Sequence, residues 1–465
     1  MRNGLSKEDW LYDRFFLSND TARRLYESVK ALPVIDYHNH LSLTDILENR
    51  RFTDIYDLWI APDPYKHRAM RMCGVPESHI TGDAPAREKF RAWCAVYPRL
   101  IGNPLYVWTQ MELQSVPEIG DRPSADNADA LYEKANRYLA AHEVTPAALF
   151  SHFRAERVCP CVSFRDDPAS FKEHPVVKPS LRADDLLVPD EKTVRALEKL
   201  TCPIRGLEDY RAALAQRVRD LNRAGVLFAD HALDDGFRFA KDDGENGRRF
   251  DEMLSGGSGL NAAEKSKLSA FLLTFLLCEY AANGMTVQLH LGAARHTSTR
   301  LRTLAGAQGG FAAVGSVDTA SLTALFDSVE RQRGLPKMIL FPLDPADNAR
   351  LAVLAGSFAS DHVPGLITNG PAWWWCDHEY GIRQALEAAA SFGLLAAFCG
   401  MTTDSRSFLS FVRHDYFRRV LCAFFAEKLE RKALGCAEDD VKPLLYAMCY
   451  GNAKQLLETG KIFQA

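Results

Sequence analysis

Apolar residues come in short bursts of strand length that end in polar, reactive side chains. Val34-Ile35-Asp36-Tyr37-His38-Asn39-His40 is the first such run. Val226-Leu227-Phe228-Ala229-Asp230-His231 is the second, Thr286-Val287-Gln288-Leu289-His290 the third and Met338-Ile339-Leu340-Phe341 the fourth. A fifth, Leu394-Leu395-Ala396-Ala397-Phe398, leads to Thr403-Asp404. Most follow a stretch with helical periodicity. Ala263–Ala282 is the clearest helix, and Gly284 is placed to stop it just before the third strand. Helix, glycine, apolar strand and polar cluster is the rhythm of parallel βα units. The pattern predicts an α/β fold with its chemistry at the C-terminal strand ends. An open doubly wound sheet would place a ligand at the same ends. The chain has no Gly-x-Gly-x-x-Gly fingerprint and no phosphate loop to favour it.

Leu41–Ala155 is long, aromatic and helix-like, and reads as an insertion after the first strand that caps the site. Lys241–Gly259 carries five glycines and reads as loop. No repeat, low-complexity tract or flexible linker divides the chain. The expectation is one domain over residues 1–465, with the insertion at roughly 42–155.

Composition narrows the function classes. Among 465 residues, 56 Lys and Arg face 60 Asp and Glu, for a net charge of −4, and 47% are hydrophobic. Those values exclude a disordered chain, a collagen-like repeat and a polybasic nucleic-acid tail. Met1–Trp10 is polar and charged, unlike a secretion signal. Leu268–Cys278, the most apolar run, is far shorter than the about 20 residues that cross a bilayer. A cytoplasmic protein with neither a nucleic-acid nor a membrane partner is expected. The 11 cysteines are scattered, and Cys159-x-Cys161 has neither zinc-ribbon nor redox spacing, so they read as reduced, mostly buried thiols.

His38-x-His40 is the sharpest local signal. Residues two apart on a strand share a face, so two imidazoles stand side by side as a divalent metal requires. The pair alone reads equally as two hydrogen-bonding histidines. Thr403-Asp404-Ser405-Arg406-Ser407 follows the fifth run. Asp404 could complete a metal site or act as a base, and Arg406 could grip a carboxylate at two points. A helix cap with an ion pair is the plainer reading. His290 and Arg295 sit at or just past a strand end, and Asp230 occupies a similar place. Trp373-Trp374-Trp375 could offer one or two rings to a sugar. By composition, Tyr65-Lys66-His67-Arg68 reads as a solvated face and Arg182 as a surface arginine.

Taken together, these residues resemble the uronate isomerase family of the amidohydrolase superfamily, from about Asp9 to Leu457. The resemblance is carried by Asp36-Tyr37-His38-x-His40-Leu41, Tyr65-Lys66-x-Arg68-Ala69-Met70-Arg71 and Gly102-Asn103-Pro104-Leu105-Tyr106. It continues through Asp230-His231-Ala232-Leu233-Asp234, Gln288-Leu289-His290-Leu291-Gly292-Ala293-x-Arg295 and Trp373-Trp374. Most specific is Gly400-Met401-x-Thr403-Asp404-Ser405-Arg406-Ser407-Phe408-Leu409-Ser410, followed by Arg413-His414-x-Tyr416-Phe417-Arg418-Arg419. The resemblance implies a distorted (β/α)8 TIM-type barrel. It implies an aldose–ketose isomerase acting on D-glucuronate and D-galacturonate, giving D-fructuronate and D-tagaturonate. It implies a divalent metal, usually zinc, on His38, His40 and Asp404, with Tyr65 and Asp404 moving protons. Arg182, His290, Arg295, Trp373, Trp374 and Arg406 would line the substrate site, with Asp230 close by.

The residue types suit that chemistry. Moving a carbonyl from C1 to C2 needs a proton taken from C2 and returned to C1. Developing oxygen charge needs an arginine or a metal, and the C6 carboxylate needs a cation. Several positions depart from the family. Pro64 stands where the family usually has His, with His67 nearby, and Phe164-Arg165 replaces a Thr pair, placing a ring and a charge near the site. His296-Thr297-Ser298 stands where amides are usual. A metal-dependent hydrolase on the same barrel is one alternative, although no lysine ends a mid-barrel strand to bridge two metals. A non-catalytic sugar-acid binder is another. The apolar face of Tyr416–Lys432 would serve either a homo-oligomer interface or the barrel exterior.

Overall fold

The computed structural model describes residues 15–256, 259–295, 297–306 and 311–462. Met1–Trp10, Gly257 and His296 lie outside the described residues. Among the described residues nine strands run in chain order: β1 Val34–Asn39, β2 Ala155–Ser163, β3 Ser180–Arg182, β4 Phe228–Leu233, β5 Thr286–Leu291, β6 Ala293–Arg295, β7 Ala312–Val314, β8 Met338–Pro342 and β9 Ile367–Asn369. Seven form one curled sheet in the order β1-β2-β3-β4-β5-β8-β9, every pair parallel. β6 and β7 make a separate antiparallel ribbon. Both β5 and β8 are buried along their whole length; β8 is apolar throughout, whereas β5 alternates Val287, Leu289 and Leu291 with Thr286, Gln288 and His290.

The four runs through Phe341 all hold strands of this sheet. The helix before β5 is Ala262–Ala282. Asn261 and Glu264 cap its start reciprocally, and Gly284 at φ +65 turns the chain out of it. Seven α-helices lie between β1 and β2, from Leu43–Leu47 to Pro146–His152.

Two expectations fail, each for a physical reason. Leu394–Phe398 is no strand. Leu395–Ala397 makes one tight helical turn, and Phe398–Ser405 continues as an irregular segment. Left-handed backbone at Gly400 (φ +75) and Asp404 (φ +46) interrupts the extended run that a ladder needs. The segment still lies along β1, because His40 N–H donates to the Ser405 carbonyl at 2.9 Å and Asp404 N–H to that of His38 at 3.2 Å. Gly400 is obligatory there, since a Cβ would stand 2.1 Å from the Met448 carbonyl oxygen. The Lys241–Gly259 loop contains a helix, Asn246–Leu254. Phe250 is buried and Arg249 pairs with Asp243, so packing on Ala262–Ala282 overrides the glycine content. The helix that carries Tyr416 spans Val412–Glu430 and buries residues on all its faces inside this chain, including Phe417, Val420, Leu421 and Phe424.

Candidate active site

Strand register builds one wall of the site. Arg182 ends β3 directly opposite Asp230 of β4. Its Nη1 reaches Asp230 Oδ2 at 2.5 Å and its Nη2 reaches Asp184 Oδ2 at 2.7 Å. Asp230 Oδ1 stands 2.6 Å from His290 Nδ1, and the His290 ring stacks on Phe341, its partner on β8, at 4.6 Å. The charge order along these strands is therefore Arg182, Asp230, His290. Burial disfavours the Asp230 anion, but Arg182 and His290 hold its carboxyl well below the ordinary range. Burial takes His290 down to about 4, so its ring is neutral at neutral pH.

The opposite wall is the seam between β1 and the irregular segment. His38 and His40 place their rings 5.2 Å apart and nearly perpendicular. Asp404 Oδ1 lies 3.3 Å from His38 Nε2 and 3.2 Å from His40 Nε2. Burial opposes the Asp404 charge, yet the two imidazoles hold its carboxyl well below the usual range. Asp36 locks this seam by accepting from the Thr403 amide at 2.7 Å and its hydroxyl at 2.6 Å. The left-handed Asp404 is thus held from both sides of its backbone, which over-determines a strained conformation.

This arrangement fits a metal. Zinc bonds of about 2.0–2.2 Å in a tetrahedron set neighbouring ligand atoms about 3.3–3.6 Å apart, close to the Asp404–histidine separations. His38 Nε2 is buried, and its nearest acidic oxygen is Asp404 Oδ1 at 3.3 Å, long for a hydrogen bond and close to the spacing of two metal ligands. Two further donor groups have ligand atoms within 4.8 Å of one another: His38, His40 and Cys161, and His38, Asp230 and His290. Cys161 Sγ stands 3.9 Å from His38 Nδ1 and 3.7 Å from Asp230 Oδ2. Burial raises its thiol, but His40 and His38 bring it to about 7. The sequence undervalued this cysteine, since its x-Cys spacing matches no metal motif. Its alternation with the strand end was the available signal.

One cavity of about 410 Å³ joins these groups. It is lined by His38, His40, Tyr65, Arg182, His290, Arg295, Trp373, Trp374, Asp404 and Arg406, with Pro64, Phe311 and Ala312. Asp230 is fully buried behind Arg182 and His290. Arg295 donates from Nε to both Asp234 oxygens at 3.0 Å and lies 5.3 Å over the Trp374 ring. Larger hollows elsewhere lack the histidines and Asp404, among them one of about 860 Å³ beside Arg211 and Phe271.

Three sequence readings change. Tyr65-Lys66-His67 is buried, not solvated: Asp63 caps the helix Pro64–Met72 and pairs with Lys66 beneath it. Arg182 is no surface residue, because β3 delivers it to Asp230. Phe164 and Arg165 do not line the cavity. Phe164 is packed in the core, and Arg165 lies over its ring and pairs with Asp185. The sequence reading also missed Asp377, which accepts from the Tyr65 hydroxyl at 3.0 Å. Its position just after the tryptophan run was the only hint.

A family model described as glucuronate isomerase matches residues 7–457. The uronate isomerase of Bacillus licheniformis is 36% identical, with 97% of this chain and 98% of that protein aligned. That of Bacillus subtilis is 35% identical over 97% and 98%. The crystal structure of a uronate isomerase from Thermotoga maritima superposes with a TM-score of 0.89 at 27% identity, covering 96% of this chain and 99% of the other. A glucuronate isomerase structure from Caulobacter crescentus shares the fold at a TM-score of 0.86 and 24% identity, over 97% of each chain.

Proposed function

We infer the chemistry of the site from one premise: the chain belongs to the glucuronate isomerase family. It is an isomerase enzyme of uronates. We propose that it interconverts D-glucuronate with D-fructuronate and D-galacturonate with D-tagaturonate. The observation that carries the reading is the cavity itself, where two imidazoles, a carboxylate, a phenol and three guanidinium groups converge at the sheet's rim. Arg182 is paired with Asp230 and Asp184 and Arg295 with Asp234, and each guanidinium carries further N–H groups that suit the C6 carboxylate of a uronate. The fold is read as a distorted (β/α)8 barrel, with the Phe398–Ser405 segment standing where an eighth strand would close it. The chain is read as a single domain, in which the helices of about residues 42–155 form a capping insertion.

His38, His40 and Asp404 would hold a divalent ion, with zinc as the expected metal. Such an ion, when bound, supplies Lewis-acid charge and orients substrate oxygens. Arg182, Arg295 and Arg406 bind the C6 carboxylate and sugar oxygens, for which a planar two-point contact is suited. Trp373 and Trp374 cover the apolar ring face, and His290 presents neutral nitrogen to a hydroxyl. Asp404 and Tyr65 move the proton between C2 and C1. Burial first, and Asp377 second, keep the Tyr65 phenol well above its ordinary range, so it enters the reaction protonated. The partner is a small sugar acid, and the enzyme is assigned to the cytoplasm. No described helix is long and apolar enough to cross a membrane.

The test is isomerisation in heavy water of D-glucuronate and, separately, D-galacturonate, followed by proton NMR. Ketose signals are expected from at least one sugar. Zinc- or manganese-loaded protein that converts neither would overturn the proposal.

A further inference from the structure

Behind the site lies a second hollow of about 780 Å³. Tyr65 and Trp374 line both cavities and form the partition between them. Asp377 lines only the second. That hollow reaches the surface, since Met72, Ile101 and Tyr380 in its wall are exposed. The Tyr65 hydroxyl donates to Asp377 Oδ2 at 3.0 Å. Arg413 Nη1 donates to the same oxygen at 3.1 Å, and also to the carbonyl of Thr403 at 3.1 Å. Arg413 is fully buried, with its guanidinium 4.5 Å from the Tyr65 ring centroid and 4.2 Å from that of Trp108. One guanidinium therefore fixes the phenol, its acceptor and the backbone leading into Asp404.

A purely structural tyrosine would need an acceptor but no ionisable one poised near neutrality. Burial pushes the Asp377 carboxyl up to about 7 against the pull of Arg413. The group can therefore hold or release a proton at working pH.

We propose that Tyr65 and Asp377 form a proton relay from the site cavity to the second hollow, with Arg413 setting its geometry. The proposal rests on the reading that Tyr65 serves hexuronate isomerisation. When the Tyr65 oxygen accepts a proton from the reacting side, its own hydroxyl proton passes to Asp377 Oδ2. Asp377 then gives a proton to solvent, and the reverse sequence restores both groups. No bond other than O–H changes, and no electron is gained or lost. Asp377 touches no substrate and is a positioning residue that acts through Tyr65. The relay lets the proton taken from C2 exchange with solvent before C1 receives one.

The readout is a partition, which is independent of how much of a preparation is active. Protiated hexuronate is isomerised in heavy water, and the ketose is analysed for deuterium against carried-over protium at C1. The native protein should deliver mostly deuterium. Asp377→Asn keeps an acceptor for Tyr65 but cannot carry its proton, so carry-over should rise roughly tenfold relative to exchange. Because that change leaves Arg413 without a counter-charge, Asp377→Asn combined with Arg413→Met is measured alongside it. The same partition in all three proteins overturns the relay and leaves the isomerase reading standing. Complete carry-over in the native protein overturns it as well. So does loss of all turnover in both folded variants, since a relay decides where the proton goes and not whether it leaves C2. No ketose from any form removes the isomerase reading and the relay together.

Discussion

Two buried charge clusters in this chain look alike by composition and differ in what surrounds them. In the first, Lys66 Nζ lies 2.6 Å from Asp63 Oδ2 and 3.0 Å from Glu112 Oε2, and all three residues are fully buried. Trp59 Nε1 donates to the same Glu112 oxygen at 2.5 Å, and the Trp59 and Trp93 rings flank the ammonium. Within it, the far oxygen of Glu112 and the Trp93 indole nitrogen have no hydrogen-bond partner. None of the described cavities is lined by these residues. In the second, around His38, Asp230, His290 and Asp404, the groups surround a cavity, and His290 Nε2 and Trp373 Nε1 beside it have no hydrogen-bond partner. Burial of charge alone does not mark a site. Polar atoms left unsatisfied around a hollow do, because a native fold tolerates that cost where a ligand will offset it.

Mutations that keep shape but change charge should separate the two clusters. The largest effect is expected for Asp404→Asn: turnover should fall about 10⁴-fold, or ~5.4 kcal/mol in activation free energy, with the melting temperature nearly unchanged. Near-native turnover would move the site elsewhere. Lys66→Met should do the converse. It strands two buried carboxylates and should cost about 3–5 kcal/mol of stability in urea titration, while turnover per folded molecule survives. A fully stable variant would show that the first cluster carries no structural burden.

Arg406→Lys should lower kcat/KM about 10²-fold, since an ammonium cannot make the planar two-point contact. An equal loss of kcat/KM on a neutral sugar analogue would separate it from carboxylate recognition. A graded effect, smallest when taken per pH unit, concerns acid stability. Burial, first among its causes, takes His67 down to about 4. Below its ordinary value of about 6.5 the unfolded chain binds a proton that the native chain refuses. Stability from this group is therefore complete above about pH 6.5 and is lost as pH falls towards 4, by about 1.4 kcal/mol per pH unit. His67→Phe should flatten that part of the stability–pH curve, and an unchanged slope would refute the assignment.

The sequence showed the site unevenly. His38, His40, His290 and Asp404 were legible because each ends or follows an apolar run, and strand ends are where such folds collect polar groups. Arg182 was opaque because a three-residue strand leaves no periodic signature. Tyr65 and Lys66 looked solvated because a charged tetrapeptide reads that way until a capping Asp63 and a distant Glu112 are brought beneath it. Cys161 and Asp377 acquire meaning only through neighbours more than a hundred residues away, His38 and Tyr65.

The amino-acid order by itself determined the α/β rhythm, the capped helix Ala262–Ala282 and the side-by-side histidines. Those depend on local periodicity, capping chemistry and the two-residue repeat of a strand, all contained in a short window. Tertiary structure alone decided that the last apolar run would abandon strand geometry and that Asp404 would be held left-handed against β1. It also decided that Arg413 would stand between Tyr65 and the Asp404 segment. Each of these depends on contacts between segments remote in sequence, whose free energy no local window contains.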